Sequence, residues 1–143
     1  MGIGSDMEGG DGKAGFPCME GGALPKVICV LLVGYDKDAR HAFASRLRVL
    51  KIAELVTQEA ESAALATNMI EAGFRPHAIF CDLEMPGNAG RLFFRWVCDQ
   101  YPDLAKGFCF LAEKDVGVEE GRCLERGVND DRLREMLIVF LSR

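Results

Sequence analysis

The chain has 143 residues and a mass of 15.7 kDa, enough for one domain that buries about 68–70% of the surface exposed by its unfolded form. It is 49% hydrophobic and 27% charged, with a formal net charge of −5, which argues against a general nucleic-acid surface because such surfaces concentrate basic residues. No apolar run approaches the roughly 20 residues of a bilayer span, and the N-terminus has no basic region followed by a hydrophobic one, so a cytoplasmic protein without a membrane partner is expected.

Residues 1–25 hold eight of the 16 glycines, two prolines and few apolar side chains. Such a segment buries too little surface to offset the entropy of ordering, so it is expected to be a flexible tail ahead of one domain at 26–143. Val27–Val33 (VICVLLV) is a continuous apolar run rich in β-branched residues and predicts a strand covered on both faces. Residues 37–50 place Ala39, Phe43, Leu47 and Leu50 on one helical face. Strand character returns at 53–57, and an Ala-rich helix follows at 62–72, stopped by Gly73.

After Pro76 a second apolar run, 78–81, ends at Asp82, and Met85-Pro86-Gly87 breaks the chain. Residues 90–101 then predict a helix with Leu92, Phe93, Trp96 and Val97 inward, which would turn Phe94 outward as an exposed aromatic able to anchor a partner. A buried strand is expected at 108–111 and a short, weaker one at Arg122–Glu125. Asn129 can cap the last helix, with Asp130 and Asp131 in its first turn. Leu133, Met136, Leu137, Phe140 and Leu141 follow at helical spacing.

The six cysteines, Cys18, Cys29, Cys81, Cys98, Cys109 and Cys123, form no C-x-x-C pair, whereas zinc sites bring ligands in close sequence pairs. Free, reduced thiols are expected, with Cys29, Cys81 and Cys109 acting as small buried hydrophobes.

Strands alternating with helices imply a doubly wound, five-stranded parallel sheet of flavodoxin-like type. Ligands of such sheets sit beyond the carboxyl ends of the strands, here Gly34 to Asp36, Asp82 to Gly87, Ala112-Glu113 and Arg126-Gly127. None carries a glycine-rich phosphate loop, so a flavodoxin-like enzyme or cofactor carrier has no support from the sequence.

The segment Ile79-Phe80-Cys81-Asp82-Leu83-Glu84-Met85-Pro86-Gly87 resembles the third strand, phosphoacceptor aspartate and following loop of the receiver domains of bacterial response regulators, the CheY-like family. The resemblance extends from Lys26 to the C-terminus. It implies that Asp82 stands at the phosphoacceptor position. In that family Mg²⁺ is held by the acceptor aspartate, an acidic pair after the first strand and a backbone carbonyl, while a hydroxyl after strand four and a lysine after strand five contact the phosphoryl oxygens.

This chain departs from the pattern at each supporting position. Gly34 and Tyr35 stand where the acidic pair belongs, and Mg²⁺ needs hard oxygen ligands. Ala112 replaces the hydroxyl. Arg126 replaces the lysine, keeping the charge but not its compact geometry, and Gly127 replaces the proline that normally follows. Cys123 occupies the position of an aromatic that reports phosphorylation in the family. The fourth helix is expected to shrink to a stub around residues 116–121.

Several residues admit two readings. Asp82 is either a phosphoacceptor or an inherited carboxylate satisfied by loop amides or by Arg126. Asp36 is a replacement metal ligand, with Asp82 and Glu84, or else Asp36 or Asp38 caps the first helix; Glu84 otherwise faces solvent. Tyr35 either hydrogen-bonds Asp82 and fills the pocket or packs at the surface. His41 and His77 read as structural. The expected function is a non-enzymatic, phosphorylation-independent interaction module in a two-component-type pathway, with a vestigial pocket at Gly34, Tyr35, Asp36, Glu84, Ala112 and Arg126. No cofactor is expected. Its partner would be a protein, a histidine kinase or a regulator, met by a monomer or weak dimer near the first, fourth and last helices. No DNA-binding effector is expected after the last helix. The alternative is a phosphoprotein that takes phosphate from a histidine kinase at Asp82 through a rebuilt Mg²⁺ site.

Overall fold

A computed structural model describes residues 26–113 and 122–141. The expected tail at 1–25, with Cys18, and the helical stub around 116–121 lie outside the described residues. Five strands, β1 (Val27–Val33), β2 (Glu54–Ala60), β3 (Ala78–Asp82), β4 (Phe108–Ala112) and β5 (Arg122–Glu125), form one parallel sheet in the order β2-β1-β3-β4-β5. The chain runs from β1 outward to β2 and then returns to the other side of β1 at β3. The order of strand addition therefore reverses between β1 and β3, and the crevice at their carboxyl ends is where such folds place ligands.

The two-residue alternation of each strand feeds two separate cores. Ile28, Val30 and Leu32 of β1, Phe80 of β3 and Leu111 of β4 face helices α1 (Lys37–Val49) and α5 (Asp130–Leu141). Leu31, Val33, Ile79, Cys81, Phe108 and Phe110 face α2 (Ala63–Glu71), α3 (Ala89–Gln100) and the single turn α4 (Pro102–Ala105). The cap expected for the last helix is formed, Asn129 Oδ1 accepting from the Arg132 N–H at 2.8 Å; at the start of α2, Ser62 caps the helix from outside it, its Oγ accepting from the Leu65 N–H. Gly73, at φ +115°, ends α2 in a conformation that side chains disfavour.

Two sequence expectations need correction. The strand expected at 53–57 runs on to Ala60, because β2 closes one edge of the sheet and its polar Gln58 and Glu59 continue the ladder opposite Leu31 and Leu32. The inward face of α3 is also rotated. Gly90, Phe93, Phe94 and Val97 are buried, whereas Leu92 is 58% exposed and Trp96 only half-buried. Gly90 lies on the buried face because a Cβ there would meet the Asp82 carbonyl oxygen at 2.6 Å. Once that glycine faces the sheet, helical spacing carries Phe93, Phe94 and Val97 inward with it. Phe94 is buried with its ring tilted against Phe108 and edge-on to Phe110, so it offers no surface anchor.

His77 has the structural role expected of it. Its main chain donates to the Cys29 carbonyl at 2.8 Å, and its ring Nδ1 accepts from the Cys29 N–H at 3.0 Å, adding a rung below the β1–β3 ladder. His41 lies at the surface of α1 with Nε2 3.2 Å from Glu59 Oε2. Burial raises the thiols of Cys29, Cys81 and Cys109, the last to about 12. Thiols so disfavoured as thiolates are poor nucleophiles and poor metal ligands.

Candidate functional site

The crevice between β1 and β3 opens into a cavity of about 150 Å³ lined by Tyr35, Asp36, Glu84, Ala112, Glu113 and Arg126 around Asp82. Asp82 is the last residue of β3, and its side chain is 16% exposed. Arg126 follows β5 and its Nη2 donates to Asp82 Oδ1, forming an ion pair across β4. Of the partners open to Asp82, the structure selects the arginine. Burial pushes the Asp82 carboxyl above the usual carboxylate value; the facing charge and hydrogen bond of Arg126 pull it back, Asp36 adds to the rise and Arg40 opposes it.

The rest of the crevice is built around this pair. A Cβ on Gly34 would overlap Asp82 Oδ2 and lie 2.8 Å from its Cγ, so the glycine is what lets the Asp82 carboxylate occupy this space. The Gly34 N–H donates to the Ala60 carbonyl at 3.0 Å, and its own carbonyl accepts from Arg40 Nη1. Arg40 also reaches Glu59 at 2.9 Å, tying the loop after β1 to the edge strand. On the other side, the Arg126 N–H donates to the Ala112 carbonyl at 2.7 Å, and its Nε lies 3.9 Å from Glu113. Ala112 is buried and brings no side-chain polar atom, and the space beside Gly127 is open.

Asp36 caps α1, its Oδ1 accepting from the Ala39 N–H at 3.2 Å, while Asp38 lies within the first turn. Tyr35 is 65% exposed and makes no hydrogen bond to Asp82 among the described residues, which corrects the reading in which it fills the pocket. With Gly34 directly against the carboxylate, the next residue is carried outward. Glu84 is exposed.

These residues do not suit Mg²⁺. The ion is held by several hard oxygens in near-octahedral geometry. Asp82 spends one oxygen on Arg126, Asp36 is turned to its own helix, and a fixed guanidinium stands within the site. No group of three or more His, Cys, Asp or Glu able to hold a metal occurs among the described residues. Contacts that the sequence did not reveal are those of Arg40 and of Arg46, which donates to the Arg126 carbonyl at 2.9 Å from 80 residues away. Both are basic residues on an amphipathic helix, a pattern that reads as solvated surface.

No protein-family model matches the sequence, and no curated protein is similar enough to match it. The structure is similar to a two-component response regulator from Cytophaga hutchinsonii, with a TM-score of 0.70 and 18% identity over 83% of this chain and 100% of that one. It is similar to the N-terminal domain of a response regulator/sensory box/GGDEF protein from Carboxydothermus hydrogenoformans, with a TM-score of 0.65 and 19% identity over 79% and 93% of the two chains. A signal receiver domain of an HD domain-containing protein from Pseudomonas fluorescens matches at 0.63 and 19%, over 80% and 94%. The chain has the receiver fold. Within it Asp82 ends the third strand, as the sequence resemblance implied, and Arg126 reaches it from beyond the fifth. Among the described residues of this receiver fold, no helix is long and apolar enough to cross a membrane.

Proposed function

We propose that this chain is a phosphorylation-independent receiver module that works by binding a protein partner, a histidine kinase or a regulator of a two-component-type pathway, and catalyses no reaction itself. The observation that carries this reading is the ion pair between Asp82 and Arg126. Attack of a carboxylate on a phosphoryl group brings two anions together, so it depends on positive charge aimed at the phosphoryl oxygens. Here the positive charge is spent on the nucleophile. Arg126 ties up Asp82 Oδ1, Oδ2 lies against Gly34, and neither Gly34 nor Tyr35 supplies a carboxylate to gather a divalent ion. The neutralised pair leaves a receiver fold with one resting arrangement, suited to constant rather than switched binding through the neighbourhood of α1 and α5.

The test is treatment of the full chain with an acyl phosphate donor and Mg²⁺, followed by intact mass. An unchanged mass is the expected result. Gain of one phosphoryl group that disappears in Asp82→Asn overturns the reading in favour of a working phosphoacceptor.

A further inference from the structure

Arg46 lies on α1 beside the core residues Phe43 and Leu47, its guanidinium carbon 6.0 Å from the centre of the Phe43 ring. From there it reaches across to the segment joining β5 to α5. Its Nη1 donates to the Arg126 carbonyl at 2.9 Å, and its Nη2 donates to the Val128 carbonyl and, at 3.0 Å, to Asp130 Oδ1. One planar fork thus takes three acceptors within five residues, and the first belongs to the residue whose side chain meets Asp82. A rigid guanidinium suits this task because its donors diverge at fixed angles.

The segment has reason to need such a tie. Gly127 follows Arg126 directly and has no side chain, and among the described residues no atom beyond its two chain neighbours lies within 4 Å of the point where a Cβ would stand. Glycine leaves the main chain its widest freedom. The long Arg126 side chain can hold one position only if its own backbone is fixed, since each unrestrained torsion adds entropy that opposes the ion pair.

We propose that Arg46 is a positioning residue that presses the backbone from Arg126 to Asp130 against α1 and so sets the Arg126 guanidinium beside Asp82. The proposal rests on the reading of Arg126 as the site's own counter-ion and extends it, making α1 the element that keeps the pair closed. The charged groups around Asp82 are Arg126 from beyond β5, Asp36 and Arg40 from the start of α1, and Glu84 and Glu113 on the cavity wall, with the Tyr35 phenol beside them.

The Asp82 carboxyl can be titrated by carbon NMR in the full chain. With Arg46→Gln the titration midpoint is expected to rise, because Arg126 is released from its place. Loss of a cation raises a nearby carboxyl through its field alone, so the same substitution is made in an Arg126→Gln background, where the rise should largely vanish. An unchanged midpoint in folded Arg46→Gln, or an equal rise in both backgrounds, overturns the proposal. Should Arg46→Gln fail to fold, Asp130→Ala removes one acceptor of the fork. Loss of that negative charge by itself would lower the Asp82 midpoint, so a rise supports the clamp, and an unchanged or lowered midpoint refutes it. None of these measurements uses a phosphodonor; phosphorylation of Asp82 would overturn the functional reading and leave the clamp to be judged on the titration.

Discussion

The two sides of the sheet are built differently. Against α2 and α3 the contact is apolar, with Phe93, Phe94, Phe108 and Phe110 packed through tilted and edge-on rings and Gly90 pressed against the end of β3. Against α1 and α5 there is an apolar core of similar kind around Phe43, Phe80 and Phe140, but here arginines at the helix margin bond carbonyls of the crevice segments, whereas Arg75 on the first side bonds the local Ile70 and Phe74 carbonyls at the end of α2. Arg40 holds the loop after β1, Arg46 the segment after β5, and Arg134 the Leu50 carbonyl at 3.0 Å. The first side fixes the helices by area removed from water, which is strong but indifferent to direction. The second adds directional charge-assisted bonds that place particular backbone groups. The crevice borrows its precision from the second side.

Substitutions can separate the two contributions. The largest effect is expected from Phe94→Ala on the apolar side, a loss of about 3–5 kcal/mol in chemical denaturation from the cavity left between Phe108 and Phe110. In the protein that remains folded, the Asp82 titration should stay where it was; a moved midpoint would show that the apolar side also sets the crevice. Next is Gly34→Ala, whose methyl group meets a carboxylate already held by Arg126. It should cost about 1–3 kcal/mol, and much of that cost should disappear when Asp82→Ala is made alongside it.

Arg126→Gln sharpens the electrostatic half. Since the Asp82 carboxyl is raised by burial, the folded state binds more protons than the unfolded one between the ordinary carboxylate value and the folded value. Stability therefore falls as pH rises through that interval. Removing Arg126 takes away the strongest opposing influence, so in thermal melts the decline should continue to higher pH than in the parent. A variant whose decline ends at a lower pH would contradict the assignment. The smallest effect is expected from Leu92→Ala, within about 0.5 kcal/mol, because that side chain lies on the solvent side of α3.

The contrast between Leu92 and Phe94 also shows what could be read from the sequence. Strands β1, β3 and β4 were legible because buried parallel strands are short runs of apolar residues between turn signals. The stripe of α5 was legible because five apolar residues repeat at helical spacing. The face of α3 was misplaced because Gly90, the residue that fixes its rotation, carries no hydrophobic signal; its placement comes from the Asp82 carbonyl behind it. The end of β2 was missed because an edge strand tolerates polar residues such as Gln58 and Glu59. At the crevice, Asp82 and its pairing with Arg126 were within reach of strand-end reasoning and the resemblance. The clamp by Arg46 was not, since a surface arginine and three acceptors 80 or more residues away leave no local pattern.

The glycine at position 34 also limits what can be built at that strand end. A side chain cannot be placed there while the Asp82 carboxylate lies against it, and moving Asp82 alone leaves Arg126 facing the vacated space. Positions 34, 82 and 126 are therefore mutually dependent, and an engineered acidic residue at 34 needs a compensating change at one of the other two in the same step.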